Sequence, residues 1–135
     1  MAQKTFAMVK PDAVRAKNSG KIINMIESHG FNILEMKKLQ LTEEQAKNFY
    51  DIHKDRPFFG ELVSFMISGP VIAMVLEKDN AVADWRTLMG ATNPAEAAPN
   101  TIRKLYAANI GENAVHGSDA PETAQQEINI AKAWL

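Results

Sequence analysis

His116 stands between Val115 and Gly117-Ser118-Asp119, where a short apolar run gives way to a helix start. An imidazole is a competent nucleophile or base near neutral pH, provided that the right tautomer faces its substrate. The helix that follows carries a second group of interest. At ~100° per residue, Ala120, Ala124, Ile128, Ile130, Ala131, Trp134 and Leu135 fall in one apolar arc, with Glu127 in its middle. A carboxylate aimed at a core must be paired, hydrogen-bonded or protonated, because burying it alone is too costly. Its partner is either the histidine ahead of the helix or a Lys or Arg across the core. The first option would fix the ring's tautomer and stabilise charge on it. Ser118 and Asp119 also read as a helix cap, with Asp119-Ala-Pro-Glu122 opening a helix that runs to about Ala133. Free N–H groups at a helix start favour anions as well. A histidine at the mouth of such a site suits phosphate chemistry at least as well as acyl chemistry.

Several cations could complete an anion site. Period 2 puts Lys10 at the end of a strand over Thr5–Lys10, on the same face as Phe6 and Met8. Arg86 and Arg103 flank the irregular stretch Gly90–Asn100, which contains Thr92. Any one of these arginines suits a solvated surface; together they would offset an approaching polyanion. Phe58-Phe59, after Arg56-Pro57, reads as a core pair or as one core ring and one exposed ring. The two remaining histidines have bland readings. His29 lies in the last turn of a helix before Gly30, where it complements the helix dipole. His53 lies on the apolar face of a helix that carries Ala46, Phe49 and Tyr50, and reads as a packing residue. Unaided, these residues describe an enzyme that moves a phosphoryl group through a histidine.

The elements that must position them are legible in outline. Pro11 stops the first strand. Lys21–His29 has helical spacing, with Ile22, Ile23, Met25 and Ile26 as its stripe and Gly30 as its stop. Phe31–Leu41 is a second strand. Thr42-Glu-Glu-Gln45 is a capping box, with Leu41 and Ala46 as a modest staple, and its helix is broken by Arg56-Pro57. Glu61–Ile67 is a short helix ended by Gly69-Pro70. Val71–Glu77, apolar nearly throughout, is a central buried strand. Ala81–Leu88 is helical, and Asn113–His116 is a brief last strand. This β-α-β-α-β-α-β order predicts a small α+β sandwich, a ferredoxin-like four-stranded antiparallel sheet with helices packed on it.

Composition sets the outer limits. The 135 residues predict one domain over positions 1–135, 46% hydrophobic and 23% charged. A formal net charge of −1 and a pI near 6.3 argue against nucleic acid or an anionic membrane as the main partner. The absence of cysteine excludes disulfides and thiolate chemistry. The apolar run Val71–Leu76 is far too short to span a bilayer. No signal-like stretch precedes Lys10, so the expected address is cytoplasmic. There is no Walker A loop, since the glycine it needs before Gly20-Lys21 is Arg15, and no dinucleotide fingerprint or zinc-hydrolase histidine pair.

Asn113-Ala-Val-His116-Gly-Ser-Asp119 resembles the active-site signature of nucleoside diphosphate kinases. So do Val9-Lys-Pro-Asp12, Lys54-Asp-Arg-Pro-Phe-Phe59, Ser68-Gly-Pro70, Gly90-Ala-Thr-Asn-Pro94 and Thr101-Ile-Arg103, in the family's order from Thr5 to about Ile128. The resemblance implies a ping-pong enzyme that passes the γ-phosphoryl group of a nucleoside triphosphate, typically ATP, to a nucleoside diphosphate through a phosphohistidine. By match to the motif, His116 would be the nucleophile, oriented by Glu127 and Ser118. Lys10 and Asn113 would contact ribose hydroxyls and the phosphate end. Arg86, Thr92 and Arg103 would hold the phosphate chain, and Tyr50 would lie beside the histidine. Phe58 would stack on the base, with Leu62 and Ile110 lining the same slot. Mg²⁺ would arrive on the phosphates and meet Asp119 through water. Stacking between apolar side chains discriminates bases poorly, which implies broad nucleotide tolerance.

The family's glycine before Thr-Ile-Arg is Asn100 in this chain, a residue that tolerates left-handed backbone. Lys104-Leu-Tyr106 also departs from the family pattern and bears on loop anchoring or a subunit contact. The short chain resembles bacterial members, and the family implies a homo-oligomer, tetramer or hexamer. The alternative reading is a non-enzymatic nucleotide- or RNA-binding module on the same fold. The acidic pI and the lack of an aromatic-rich strand stand against it.

Overall fold

The computed structural model describes residues 2–135. Its strands are β1 (Ala2–Val9), β2 (Asn32–Leu39), β3 (Val71–Asp79) and β4 (Val115–Gly117). They form one antiparallel sheet of four in the order β2-β3-β1-β4. The helices are α1 (Pro11–Arg15), α2 (Ser19–Ser28), α3 (Glu43–Phe49), α4 (Phe59–Met66), α5 (Ala81–Met89), α6 (Ile102–Tyr106) and α7 (Pro121–Ala131). The expected ferredoxin-like α+β sandwich is the observed architecture.

The central strands are apolar over residues 6–9 and 71–76 because helices cover both faces of the sheet there. On one face Ala7, Val9, Met74 and Leu76 share a core with Ile22 and Ile26 of α2 and Trp85 and Met89 of α5. On the other, Phe6, Met8, Ala73 and Val75 pack with Ala46 and Phe49 of α3, Val63 and Met66 of α4, and Ile128 and Ala131 of α7. β4 pairs with β1 so that His116 lies directly opposite Met8. Directly opposed residues share a face, so the imidazole joins the side that carries Phe6, α3 and α7.

Local signals act largely as the sequence suggests. Gly30 takes φ +86° just past α2. Thr42 and Gln45 exchange both bonds of a capping box at the start of α3. Asn100 sits at φ +67°, a left-handed conformation that asparagine tolerates better than most residues with a Cβ.

Four readings need correction. Pro11 does not merely end β1; it is the first residue of α1, because a fixed φ and a missing N–H suit the first helical position. A further short helix, α6, opens on the Thr101 hydroxyl, which accepts from the Lys104 amide. α3 stops at Phe49, well before Arg56-Pro57, and a 3₁₀ turn over Asp51–His53 follows. His53 is therefore not on its apolar face. Finally, α7 ends at Ala131 and has Ala120 as its N-cap, with no side-chain cap bond. Among the described residues no helix is long and apolar enough to cross a membrane.

Candidate active site

β4 presents His116 with its backbone fixed from behind. The Trp85 indole N–H donates to the His116 carbonyl at 3.2 Å. Gly117 is needed there, since a Cβ at that position would lie 2.6 Å from the Trp85 ring nitrogen. The imidazole is ringed by Phe49 at 5.2 Å, Tyr50 at 6.0 Å and Phe6 at 6.3 Å between centroids. These walls reduce the local dielectric and strengthen the polar contacts made inside.

Glu127 meets this histidine rather than a lysine or arginine. Its Oε1 lies 3.0 Å from His116 Nε2 and accepts from the Ser118 hydroxyl at 2.7 Å. The side chains of His116 and Glu127 are only 17% and 12% exposed. With Nε2 committed to the acid, the other ring nitrogen, Nδ1, is left for the cleft. The capping role expected of Ser118 and Asp119 is not what the structure contains. Ser118 is spent on Glu127, and Asp119 accepts from Arg86 Nη1 at 2.7 Å. Both partners of that ion pair are well exposed, so it is weak and open to exchange.

Lys10 reaches the same cleft from the end of β1. It is buried, and Nζ donates to Asn113 Oδ1 at 2.8 Å. Burial lowers its pKa to about 8; the positive charge of Arg103 acts in the same direction, and Asp12 opposes both. Arg103 is anchored by three backbone carbonyls, those of Asn113, Gly90 and Val115. A guanidinium has five N–H donors, so two remain for a ligand. Burial, and then Arg86, lower the Arg103 pKa to about 10. Two buried cations, Lys10 and Arg103, thus line one cleft, where an anion would offset their charge.

Beside this cationic end lies an apolar slot. Phe58 is 46% exposed and Ile110 58%; Leu62 and Phe65 add apolar walls, and Lys10, Thr92, Glu61, Gly111 and Glu112 complete the lining. Lys10, Phe58, Leu62 and Thr92 also line the cleft at His116, so slot and cleft are continuous. Phe59 is the inward ring of the pair, packed against the α3–α4 core. His53, expected as a packing residue, instead lines the cleft and lies 5.6 Å from the Phe58 ring. The Tyr50 hydroxyl is buried without a hydrogen-bond partner among the described residues. Burial raises its pKa, and Glu127 adds to the effect.

All thirteen residues singled out from the sequence thus gather around one cleft and its slot, from segments far apart in the chain. Two supporting residues were missed. Trp85 fell within the expected helix Ala81–Leu88 with no role assigned to it. Asp12, whose Oδ2 accepts from the Ala114 amide at 3.1 Å, was visible only as the last residue of a matching fragment.

Among the described residues no group of three or more His, Cys, Asp or Glu side chains is arranged to hold a metal ion. Asp119 is the one carboxylate lining the cleft that is not committed to the His116 ring. A cation brought in on phosphate oxygens and water, with a single rim carboxylate, fits that donor set; a cation held by protein alone does not.

The comparisons with known proteins agree along nearly the whole chain. The family model described as nucleoside diphosphate kinase matches residues 3–132. A nucleoside diphosphate kinase of Trichlorobacter lovleyi is 63% identical over 126 residues, covering 93% of this chain and 91% of that protein. The Aquifex aeolicus nucleoside diphosphate kinase superposes with a TM-score of 0.94 at 44% identity, covering 96% of this chain and 94% of that one. A halophilic nucleoside diphosphate kinase from Halobacterium salinarum, solved in complex with CDP, superposes with a TM-score of 0.92 at 40% identity over 99% of this chain and 98% of its own. This chain belongs to the nucleoside diphosphate kinase family.

Proposed function

We propose that His116 Nδ1 attacks the γ-phosphorus of a nucleoside triphosphate bound in this cleft. A P–N bond forms, the bond to the β,γ-bridging oxygen breaks, and the nucleoside diphosphate leaves with that electron pair. A second diphosphate then attacks phosphohistidine with a β-phosphate oxygen, breaking the P–N bond and restoring the neutral ring. The observation that carries this reading is the shared Glu127 oxygen, 3.0 Å from His116 Nε2 and 2.7 Å from Ser118 Oγ. It favours the tautomer whose Nε2 bears the proton, and it stabilises the positive charge that develops on the ring.

Phosphoryl transfer proceeds through a loose transition state, so positioning and charge neutralisation dominate. In this reading Lys10, Arg86, Thr92 and Arg103 hold the phosphates. Arg86 exchanges its exposed Asp119 partner for phosphate oxygens. Tyr50, with its unpartnered hydroxyl, faces the transferring group, and Lys10 with Asn113 meets the ribose hydroxyls. Phe58, Leu62 and Ile110 grip the base. The CDP complex of the halophilic relative supports a nucleotide in such a slot. Mg²⁺ carried on the phosphates, with Asp119 as its protein contact through water, would neutralise charge that builds on the β- and γ-oxygens.

The whole chain acts as one domain in this proposal, on nucleotides of the cytoplasm. It also works as a homo-oligomer, tetramer or hexamer. The free edge of β2, with Leu34 and Met36 exposed, supports a surface for another copy. Light scattering on the purified protein tests that part. The central test is incubation with γ-labelled ATP followed by a GDP chase. Acid-labile, base-stable label that moves to GTP is expected; no label on wild type, or label persisting in His116→Ala, overturns the proposal.

A further inference from the structure

Ala114 is fully buried and has φ +73°, a conformation that an L-residue with a Cβ rarely takes. The Val115 amide donates back to the Asn113 carbonyl at 2.8 Å, closing a three-residue turn about Ala114. Positive-φ γ-turns of this kind are rare and strained. Such residues persist only where their surroundings over-determine them.

Here the surroundings are specific. The Ala114 carbonyl accepts from the Lys10 amide at 2.8 Å. The flanking carbonyls of Asn113 and Val115 accept from Arg103 Nε and Nη2 at 3.3 and 3.0 Å. The Ala114 amide has a single acceptor, Asp12 Oδ2, at 3.1 Å. The turn joins two groups of the cleft: Asn113, which receives Lys10 Nζ, and the strand that delivers His116 opposite Met8.

We propose that Asp12 is a positioning residue for phosphoryl transfer, acting through the Ala114 amide to hold the turn that places Asn113 with Lys10 on one side and His116 on the other. The inference rests on the reading of His116 as nucleophile. Asp12 touches neither nucleotide nor imidazole. The second carboxylate oxygen, Oδ1, is buried without a hydrogen-bond partner among the described residues; the carboxylate's other contacts are local, with the backbone amides of Ala13 and Asp12 itself and the nearby charge of Lys10, so Ala114 is its long-range amide partner. Removing that bond leaves a buried amide unsatisfied and frees Ala114 to relax toward negative φ. That relaxation would move Asn113 and His116 together. Because both shift relative to the phosphates, the loss falls on the rate of transfer more than on nucleotide affinity.

The test is single-turnover labelling by γ-labelled ATP of the folded wild type, Asp12→Asn, Asp12→Ala and His116→Ala. Rates are read at saturating ATP, with ATP affinity measured separately. Asp12→Ala is expected to phosphorylate about tenfold or more slowly with ATP affinity within about threefold. Asp12→Asn keeps an acceptor for the amide and is expected within about threefold of wild type in rate. A wild-type rate in Asp12→Ala overturns the inference. So does an equal loss in Asp12→Asn and Asp12→Ala, which would make the charge and not the amide bond responsible. If Asp12→Ala does not fold in buffer, it and wild type are compared in the stabilising osmolyte trimethylamine N-oxide. A tenfold loss against wild type there supports the role, and equality overturns it. Absence of label on wild type, or its survival in His116→Ala, would instead sink the reading of His116 itself.

Discussion

Glu127 Oε1 lies 3.0 Å from His116 Nε2, an acid from the middle of an otherwise apolar helix face set against the ring that ends the sheet. Glu127→Ala removes the acceptor for both the ring and Ser118 and leaves the phosphate and base contacts alone. Phosphorylation by ATP is expected to slow by about a hundredfold, in the range of a general orienting group, with nucleotide affinity within about threefold. Rapid-quench labelling at saturating ATP measures it. Unchanged single-turnover rates would remove Glu127 from the mechanism.

Lys10, with its pKa lowered to about 8, makes binding sensitive to mild alkali. A polyanion favours the protonated amine, so nucleotide binding takes up a proton near and above pH 8, and affinity falls as pH rises through that value. The stability of the free protein responds in the opposite sense. Between about 8 and the ordinary lysine value of 10.5 the unfolded chain holds the proton that the folded one has released, so stability rises with pH there. Calorimetry in buffers of different ionisation enthalpy reads the uptake, and Lys10→Met should abolish it.

Phe58 offers an exposed ring to any base. Its replacement by Ala is expected to weaken ADP, GDP and CDP by similar amounts, about 1–3 kcal/mol each. Equilibrium titration of the three nucleotides checks this. A loss confined to purines would point to a hydrogen-bonded readout in place of stacking.

Gly117 has no room for a side chain against Trp85 and Met89. Gly117→Ala should lower stability by about 1–3 kcal/mol through overpacking. It should also displace His116, because Trp85 holds the same backbone. Thermal unfolding together with Trp85 fluorescence follows both effects, and a wild-type melting temperature would contradict the packing shown.

Asn100 stands at φ +67°. Asn100→Gly should be neutral or slightly stabilising, whereas Asn100→Ala should cost about 1 kcal/mol, the penalty for a Cβ in left-handed backbone. Denaturant titration of the pair against wild type gives the comparison. Equal stability of the two variants would mean that the turn has another support.

Asn113, Tyr50, Leu62 and Ile110 entered only through the resemblance to the family, whereas the α+β sandwich, the extent of most elements and the candidacy of His116, Glu127, Lys10, Arg86 and Arg103 were legible in the amino-acid order alone. Those features rest on short-range physics: the period of apolar residues in β3 and α7, the Thr42–Gln45 capping box, the glycine after α2, and a carboxylate in an apolar arc that had to find a partner. Which partner Glu127 finds was open at that level, because helix geometry fixes the direction of a side chain and says nothing about what stands opposite. Only the pairing of β4 with β1, which sets His116 beside Met8, brings the ring within reach. The same holds for Ser118 and Asp119, whose local spacing suggested a cap. Tertiary partners, Glu127 for one and Arg86 for the other, outcompeted the amides of α7. The bond of Asp12 and the strained turn at Ala114 were hidden for a related reason. A bond between residues 102 apart in the chain leaves no periodicity, and positive φ at an alanine has no sequence signature.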